Sequence, residues 1–447
     1  METLEEWLRS RGISEVECLV ADMSGVPRGK ILPARRFLNS GKDRGLRLPE
    51  SVFVQTVTGD YPEEDPSNEA NIDIYLQPDP SSIRIVPWYD EPTAQVIHDC
   101  HYADGSPVGM APRQVLRRVL ERYKEMGWKP VVAPELEFFL VKVNTDPDYP
   151  LEPPIGRSGR PETGRQSYGI DAVNEFDPLF EDVYNFCRQQ GLDVETLHHE
   201  AGAAQMEINF KHGEPLDLAD QVFLFKRTVR QAALRHDVYA TFMAKPMDKE
   251  PGSAMHIHQS VHDDASGTNL FAQVEEGRDS DLFLWHIGGL QKYLPSAMLL
   301  LAPNVNSYRR LVPDFDAPIN MHWARDNRTV GLRVPLSLPQ SMRVENRVGG
   351  ADANPYLAIA ASLACGYLGM VEQIDPVKAI TGSGYDRAHG LPRHLPGAIG
   401  KFASAKALHE LLGETFAKTL IAVKEAEWSA YQRVVSSWER EYLLLNV

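Results

Sequence analysis

Residues 131–140 read VVAPELEFFL, and the two acids inside that run constrain the chain more than any other feature. All the remaining positions are apolar or proline, so the run reads as a buried strand that carries Glu135 and Glu137. Side chains alternate faces along a strand, which puts both carboxylates on one face and Leu136, Phe138 and Leu140 on the other. An unpaired buried carboxylate is costly or gives up its charge, so the pair requires a partner that the local sequence does not contain. Pro134 has no amide donor and suits a strand start or a bulge.

The same partition recurs in three further segments. In AQMEINF, Gln205, Glu207 and Asn209 oppose Met206, Ile208 and Phe210. In MHIHQS, His256, His258 and Ser260 oppose Met255 and Ile257, and in MRVENRV, Arg343, Glu345 and Arg347 share a face. Glu200 lies just upstream of the second segment, in LHHE. A lone ExE is more often a solvated face than a metal site, but a common partition over four strands predicts one sheet with a polar floor. That many acids cannot gather un-neutralised. Carboxylates with imidazole point to Mg²⁺ or Mn²⁺ rather than to zinc held by thiolates.

At 447 residues the chain exceeds one compact core, so two or more domains are expected. The turn-rich DGSPVGMAP precedes a helical pattern, RQVLRRVLERYKEMG, closed by Gly127. The boundary is therefore placed near residue 105, giving segments 1–105 and 106–447. A formal net charge of −16 argues against nucleic-acid and anionic-membrane partners. Four cysteines without paired spacing read as free thiols, and no apolar tract or leader pattern suggests export, so a cytoplasmic protein is expected.

The segment 306–335 carries Arg309, Arg310, Arg325, Arg328 and Arg333 among turn residues. Arginine's planar fork clamps carboxylate and phosphate, so these side chains beside an acidic metal floor suggest phosphoryl transfer to an anionic substrate. An ion-paired surface loop is the plain alternative. No GxxxxGK[ST] loop and no kinase signature set is present.

The segments PELEFF, HHEAGAAQMEINF, KPMDKEPGSAMHIHQS, NSYRRLVPDFDAP, DNRTVGLRVP and RVENRVGGADANPYLAIAA together resemble the glutamine synthetases of the bacterial type. The resemblance implies an α+β fold: an N-terminal β-grasp domain, then a catalytic domain with a curved antiparallel sheet flanked by helices. It also implies a homo-oligomer, a dodecamer of two stacked hexameric rings, with each active site completed by a neighbour. By the same resemblance Glu137, Glu200 and Glu207 would hold one metal, and Glu135, His256 and Glu345 the other. Arg310 would clamp the glutamate α-carboxylate, with the Gly252 backbone near its amino group. Arg328 and Arg347 would neutralise the moving phosphoryl group. Glu195, His258, Ser260, Arg333 and Arg343 match positions on the ATP side. The implied chemistry is transfer of the ATP γ-phosphoryl group to the γ-carboxylate of L-glutamate, followed by attack of an amine.

Departures from the family bear on which amine attacks. Asp316 in LVPDFDAP stands where a longer flap glutamate is usual, and Pro49 and Glu50 stand where a neighbour would supply an ammonium-binding aspartate. Tyr168 matches an ammonium-site tyrosine, Gln340 replaces a nucleotide-side lysine, and the surroundings of Tyr385 lack the regulatory tyrosine motif. These differences resemble the γ-glutamylpolyamine synthetase branch, which implies putrescine, spermidine or spermine as the amine and a role in polyamine catabolism. Ammonia, another bulky amine such as an aromatic one, and a non-catalytic assembly protein are the alternatives. The acidic stretch with Asp60, Glu63, Glu64, Asp65, Glu69 and Asp73 could attract a polycation toward a neighbour's amine entrance, though a solvated loop is the simpler reading.

Overall fold

The computed structural model describes residues 3–40, 45–63, 71–275, 277–313 and 317–447. Asp316 and the acidic residues Glu64, Asp65 and Glu69 lie outside the described residues.

Two sheets organise the α+β chain. The first contains β1 (Glu15–Ala21), β2 (Pro27–Pro33), β3 (Leu46–Pro49), β4 (Asp73–Pro78), β5 (Arg84–Val86) and β6 (Thr93–His101). Its order is β2-β1-β6-β4-β3, with β5 also on β6, and β1 runs parallel to β6 at its centre. The helix Pro112–Glu125 follows, burying Val115, Leu116, Val119 and Tyr123 at helical spacing. It stops as the sequence pattern predicts, with Gly127 taking φ +71° just beyond it.

The second sheet contains β7 (Trp128–Lys142), β8 (Val194–His199), β9 (Gln205–Phe210), β10 (Val238–Thr241), β11 (Met255–Asp263), β12 (Trp323–Arg325), β13 (Leu332–Val334) and β14 (Val344–Asn346). Its order is β12-β13-β14-β11-β7-β9-β8, with β10 on β7. The four segments singled out by their alternation are thus consecutive neighbours, β14-β11-β7-β9. All those pairings are antiparallel, while β12 and β13 pair in parallel, a departure from a wholly antiparallel sheet.

Pro134 is not at a strand start: it sits within the fifteen-residue β7, opposite Ile257. Val132 exchanges both backbone hydrogen bonds with Gly213, on the β9 side, so the donor missing at Pro134 faces the same way. The β7–β9 pairing reaches only Glu135↔Asn209, so the proline falls where that ladder has ended.

Leu136, Phe138 and Leu140 are fully buried on the other face of β7. Behind them pack Pro112–Glu125 and Pro215–Arg235, and Pro355–Glu372 lies behind β11. Pro355–Glu372 is long and apolar enough to cross a membrane by length and composition, yet 78% of it is buried inside the protein. It packs closely on the helix Asp281–Leu301, where a Cβ added at Gly289 would meet the Cys365 carbonyl oxygen at 2.3 Å.

Arg113 ties the two sheets together. Its guanidinium donates to Asp79 and Asp99 from the first sheet's side, each at 2.6 Å, and to both oxygens of Asp220 on the helix Pro215–Arg235 at 3.0 and 2.8 Å.

Candidate active site

The polar face of the second sheet floors a cavity of about 650 Å³. Glu135 and Glu137 from β7, Glu207 from β9, His256 from β11, Glu345 from β14 and Glu200 just after β8 all line it. Register explains the convergence: Glu135 lies opposite His256 across one pairing, and Glu137 opposite Glu207 across another. Arg333 on β13 and Arg310 at the end of the helix Ser307–Arg310 add their guanidinium groups, and Tyr168, Gly252, Ala317, Arg328 and Arg347 complete the lining. A second cavity of about 320 Å³ shares Glu135 and Asn209 with the first and holds Glu195, His258, Ser260 and Arg343. The six expected metal ligands therefore share one cavity, and four of the five expected nucleotide-side residues share the next, with Arg333 on the first.

The hydrogen bonds show how the acids are held. His258 donates through Nε2 to Glu135 Oε1 at 2.8 Å, because its Nδ1 accepts from Arg343 Nε at 3.1 Å. His256 Nδ1 lies 3.4 Å from Glu135 and 3.7 Å from Glu345. Both oxygens of Glu345 are engaged, by Arg333 at 2.7 Å and by Arg347 at 2.6 Å. Glu137 accepts from the Ala254 backbone N–H at 2.7 Å.

The electrostatics divide the carboxylates into two kinds. Burial opposes ionisation of Glu135, yet hydrogen bonds from His256 and His258 hold it well below the usual carboxylate range. Glu345 is likewise buried but held down to about 2 by Arg347 and the two histidines. Glu137 is pushed up to about 8, first by burial and then by the charge of Glu200. Glu207 is raised well above the ordinary value by burial and by Glu135, Glu137 and Glu200. The floor thus holds more negative charge than its own cations neutralise.

Three groups place their ligand atoms within 4.8 Å of one another: Glu135–Glu207–His256, Glu135–His258–Glu345 and His198–Glu200–Glu207. Oxygen and imidazole donors without a thiolate, among acids that resist ionising together, fit hard divalent cations. The clustering differs from the expected two sets of three. Glu137 joins none of these groups among the described residues, and His258 and His198 enter instead.

His198 is the functional residue that the sequence reading passed over. Its Nε2 lies 3.0 Å from Glu200 and 3.5 Å from Glu207, and its ring stacks on Tyr168 at 5.0 Å. The signal was present, since in β8 period-two alternation puts His198 on the same side as Glu200. Arg165 and Ser167 on the rim, and His212 and Asn269 in the second cavity, had no periodic signal, whereas His262 continues the alternation of His256, His258 and Ser260 along β11.

Arg310 is buried, donating to the Val348 and Arg347 carbonyls at 2.9 Å each. A Cβ at Gly252 would meet the Arg310 Cγ at 2.5 Å and the Ala244 carbonyl at 2.6 Å, so only glycine fits beside that side chain. Glu50 turns into its own segment and accepts from the Tyr102 hydroxyl at 2.5 Å.

Comparison with known proteins agrees with this architecture. Residues 109–443 match the family described as glutamine synthetase, catalytic domain. The gamma-glutamylputrescine synthetase PuuA of Escherichia coli is 34% identical over 96% of this chain and 92% of its own length. A glutamine synthetase of Pyrococcus abyssi is 34% identical over 93% of this chain and 90% of its own length. A glutamate–isopropylamine ligase of a Pseudomonas species is 31% identical over 98% of this chain and 96% of its own length. The structure of apo GmaS without ligand superposes with a TM-score of 0.84 at 28% identity, covering 100% of both chains. The chain belongs to the glutamine synthetase catalytic-domain family, and it is an enzyme of the glutamate–amine ligase class.

Proposed function

We propose that this enzyme joins the γ-carboxylate of L-glutamate to a di- or polyamine such as putrescine, spermidine or spermine, using ATP and forming γ-glutamyl phosphate on the way. The observation that carries the reading is the single cavity in which five glutamates and His256 face five arginines. Divalent cations, Mg²⁺ or Mn²⁺, would be held by Glu135, Glu137, Glu200, Glu207, His256 and Glu345 and would neutralise the phosphates of ATP.

The chain's own residues supply the rest. Arg310 sits beside Gly252, where a glutamate α-carboxylate and amino group can be held together. Arg328 and Arg347 line the same cavity and balance the charge of the group in transfer. Glu195, His258, Ser260 and Arg343 line the adjoining cavity, where the nucleotide would lie, and Arg333 donates to Glu345 on the floor of the first. The amine nitrogen then attacks the γ-carbonyl carbon, phosphate leaves, and the nitrogen gives up a proton. Asp316 is the acid we assign to that proton.

The polyamine reading is supported by the likeness to the gamma-glutamylputrescine synthetase of Escherichia coli and by Glu50, which is turned inward rather than offered to a neighbour's ammonium. A specific observation favours a second reading, a monoamine without a distal charge: Arg165 stands on the rim beside Tyr168. A ring assembly that completes each site from a neighbour and a cytoplasmic location complete the proposal. The test is amine-dependent phosphate release from ATP with glutamate and Mg²⁺, comparing ammonium, isopropylamine, putrescine, spermidine and spermine at matched concentrations. A preference for a polyamine is expected. A preference for isopropylamine would establish the second reading, and one for ammonium would make the enzyme a glutamine synthetase.

A further inference from the structure

The turn between β8 and β9 is held by more acceptors than a turn of its length needs. Ala204 adopts φ +54°, a left-handed conformation that costs energy for a residue with a side chain. Its N–H donates to Glu162 Oε2 at 2.8 Å, the Ala203 N–H donates to Glu250 at 3.1 Å, and the Gly202 N–H donates to Gln205 Oε1 at 3.0 Å. Glu200 opens this turn and lines the acidic cavity.

Glu162 has a second contact. The same oxygen lies 3.0 Å from Nε2 of His199, whose side chain is wholly buried, while His199 Nδ1 lies 2.6 Å from the Glu200 carbonyl oxygen. A carboxylate and a carbonyl only accept, so both ring nitrogens donate and the imidazole bridges Glu162 to the Glu200 backbone. Glu162 itself belongs to the long loop after β7, six residues before Tyr168. Tyr168, at φ +60°, donates its N–H to the His199 carbonyl at 2.9 Å and stacks on His198. One carboxylate thus pins the rim loop and the Glu200 turn to the same histidine.

We infer that Glu162 is a positioning residue that, through His199, fixes Glu200 on the cavity floor and registers the rim loop carrying Tyr168 against it. Glu162 touches no reacting group. Its effect passes through backbone atoms, so its loss leaves the cavity's donors in place but lets Glu200 and Tyr168 drift relative to each other. The inference rests on the ligase reading for its kinetic consequence, and on the acidic cavity alone for its effect on cation binding.

The test compares wild type, Glu162→Ala and Glu162→Gln as full-length protein. Mn²⁺ binding to chelator-stripped protein is measured by titration calorimetry, KM is measured separately for amine, glutamate and ATP, and thermal unfolding serves as a control. Glu162→Ala is expected to bind Mn²⁺ about tenfold more weakly, at the lower end of what outer-sphere substitutions cost. Its KM for the amine should rise by about the same factor while that for glutamate moves less than about twofold. Glu162→Gln keeps an acceptor oxygen of the same reach and should recover most of both. Wild-type values for Glu162→Ala in both assays would overturn the inference. So would a lowered unfolding temperature in both variants with every constant shifted together, because that marks a merely structural contact. If wild type released no phosphate with any amine, the ligase reading would fail while the Mn²⁺ comparison still decided the role of Glu162.

Discussion

Replacing Glu137 with glutamine should stabilise the metal-free protein while weakening its response to divalent cations. The Glu137 carboxyl is buried beside Glu200 and rises from 4.5 to about 8, so between those values the folded chain holds a proton that the unfolded chain has released. For such a raised group the stability contribution is full below 4.5 and is lost as pH rises through about 8. At pH 7 the interval is 7 − 4.5 = 2.5 units, and at about 1.4 kcal/mol per unit the penalty on folding is about 3 kcal/mol. Glutamine cannot ionise, and its carbonyl can still accept from the Ala254 N–H, so most of that penalty should vanish in Glu137→Gln. The assay is thermal unfolding in EDTA from pH 6.5 to 8.5, at fixed concentration and scan rate, then repeated with excess Mn²⁺. The variant should melt above wild type in EDTA, with a gap that widens as pH rises, and should gain less from Mn²⁺. A variant that melts below wild type in EDTA, or gains as much from Mn²⁺, would refute the reasoning.

Arg113→Met should cost about 3–5 kcal/mol, because among the described residues it leaves Asp220 only the Tyr356 hydroxyl for a partner beside Asp79 and Asp99. A change in urea-unfolding free energy below about 1 kcal/mol, the range of an exposed pair, would contradict the buried hub. Gly289→Ala should lower the unfolding midpoint by forcing apart Asp281–Leu301 and Pro355–Glu372, and an unchanged midpoint would show that the helices do not meet there. His98 and His286 are pushed down to about 4 and about 3 by burial, from an ordinary 6.5. Their contribution is therefore intact above 6.5 and is lost as pH falls through those lower values. His286→Gln should accordingly lose less stability than wild type between pH 6.5 and 4, and parallel losses would count against it.

The chemical face of the sheet was legible because alternation is a local property: Glu135 and Glu137 declare a shared side within three residues. The adjacency of the strands was not, since Glu135 meets His258 across 123 positions of sequence and no local pattern encodes that pairing. Family resemblance supplied the grouping that periodicity could not, and it carried its own blind spots. His198 shares the face of Glu200 by alternation, but Glu200 lies just past the end of β8, so their contact shows only once the turn is folded. Glu162 has no period and no apolar context, and only the folded turn brings it to His199. Pro134 misled in the other direction, because a proline tolerates mid-strand placement wherever one neighbouring ladder has ended.

The central claim is that the acidic cavity activates the γ-carboxylate of glutamate by phosphorylating it. Glutamate carrying ¹⁸O in its γ-carboxylate, incubated with ATP, Mg²⁺ and the preferred amine, tests this through mass analysis of the released phosphate. The account predicts one ¹⁸O atom in each phosphate, because the acyl phosphate bridging oxygen leaves with phosphorus when the amine attacks carbon. It also predicts no turnover in Glu345→Ala. Unlabelled phosphate formed at the same rate as the amide would mean that the oxygen never passes between substrate and phosphorus, and would contradict the mechanism.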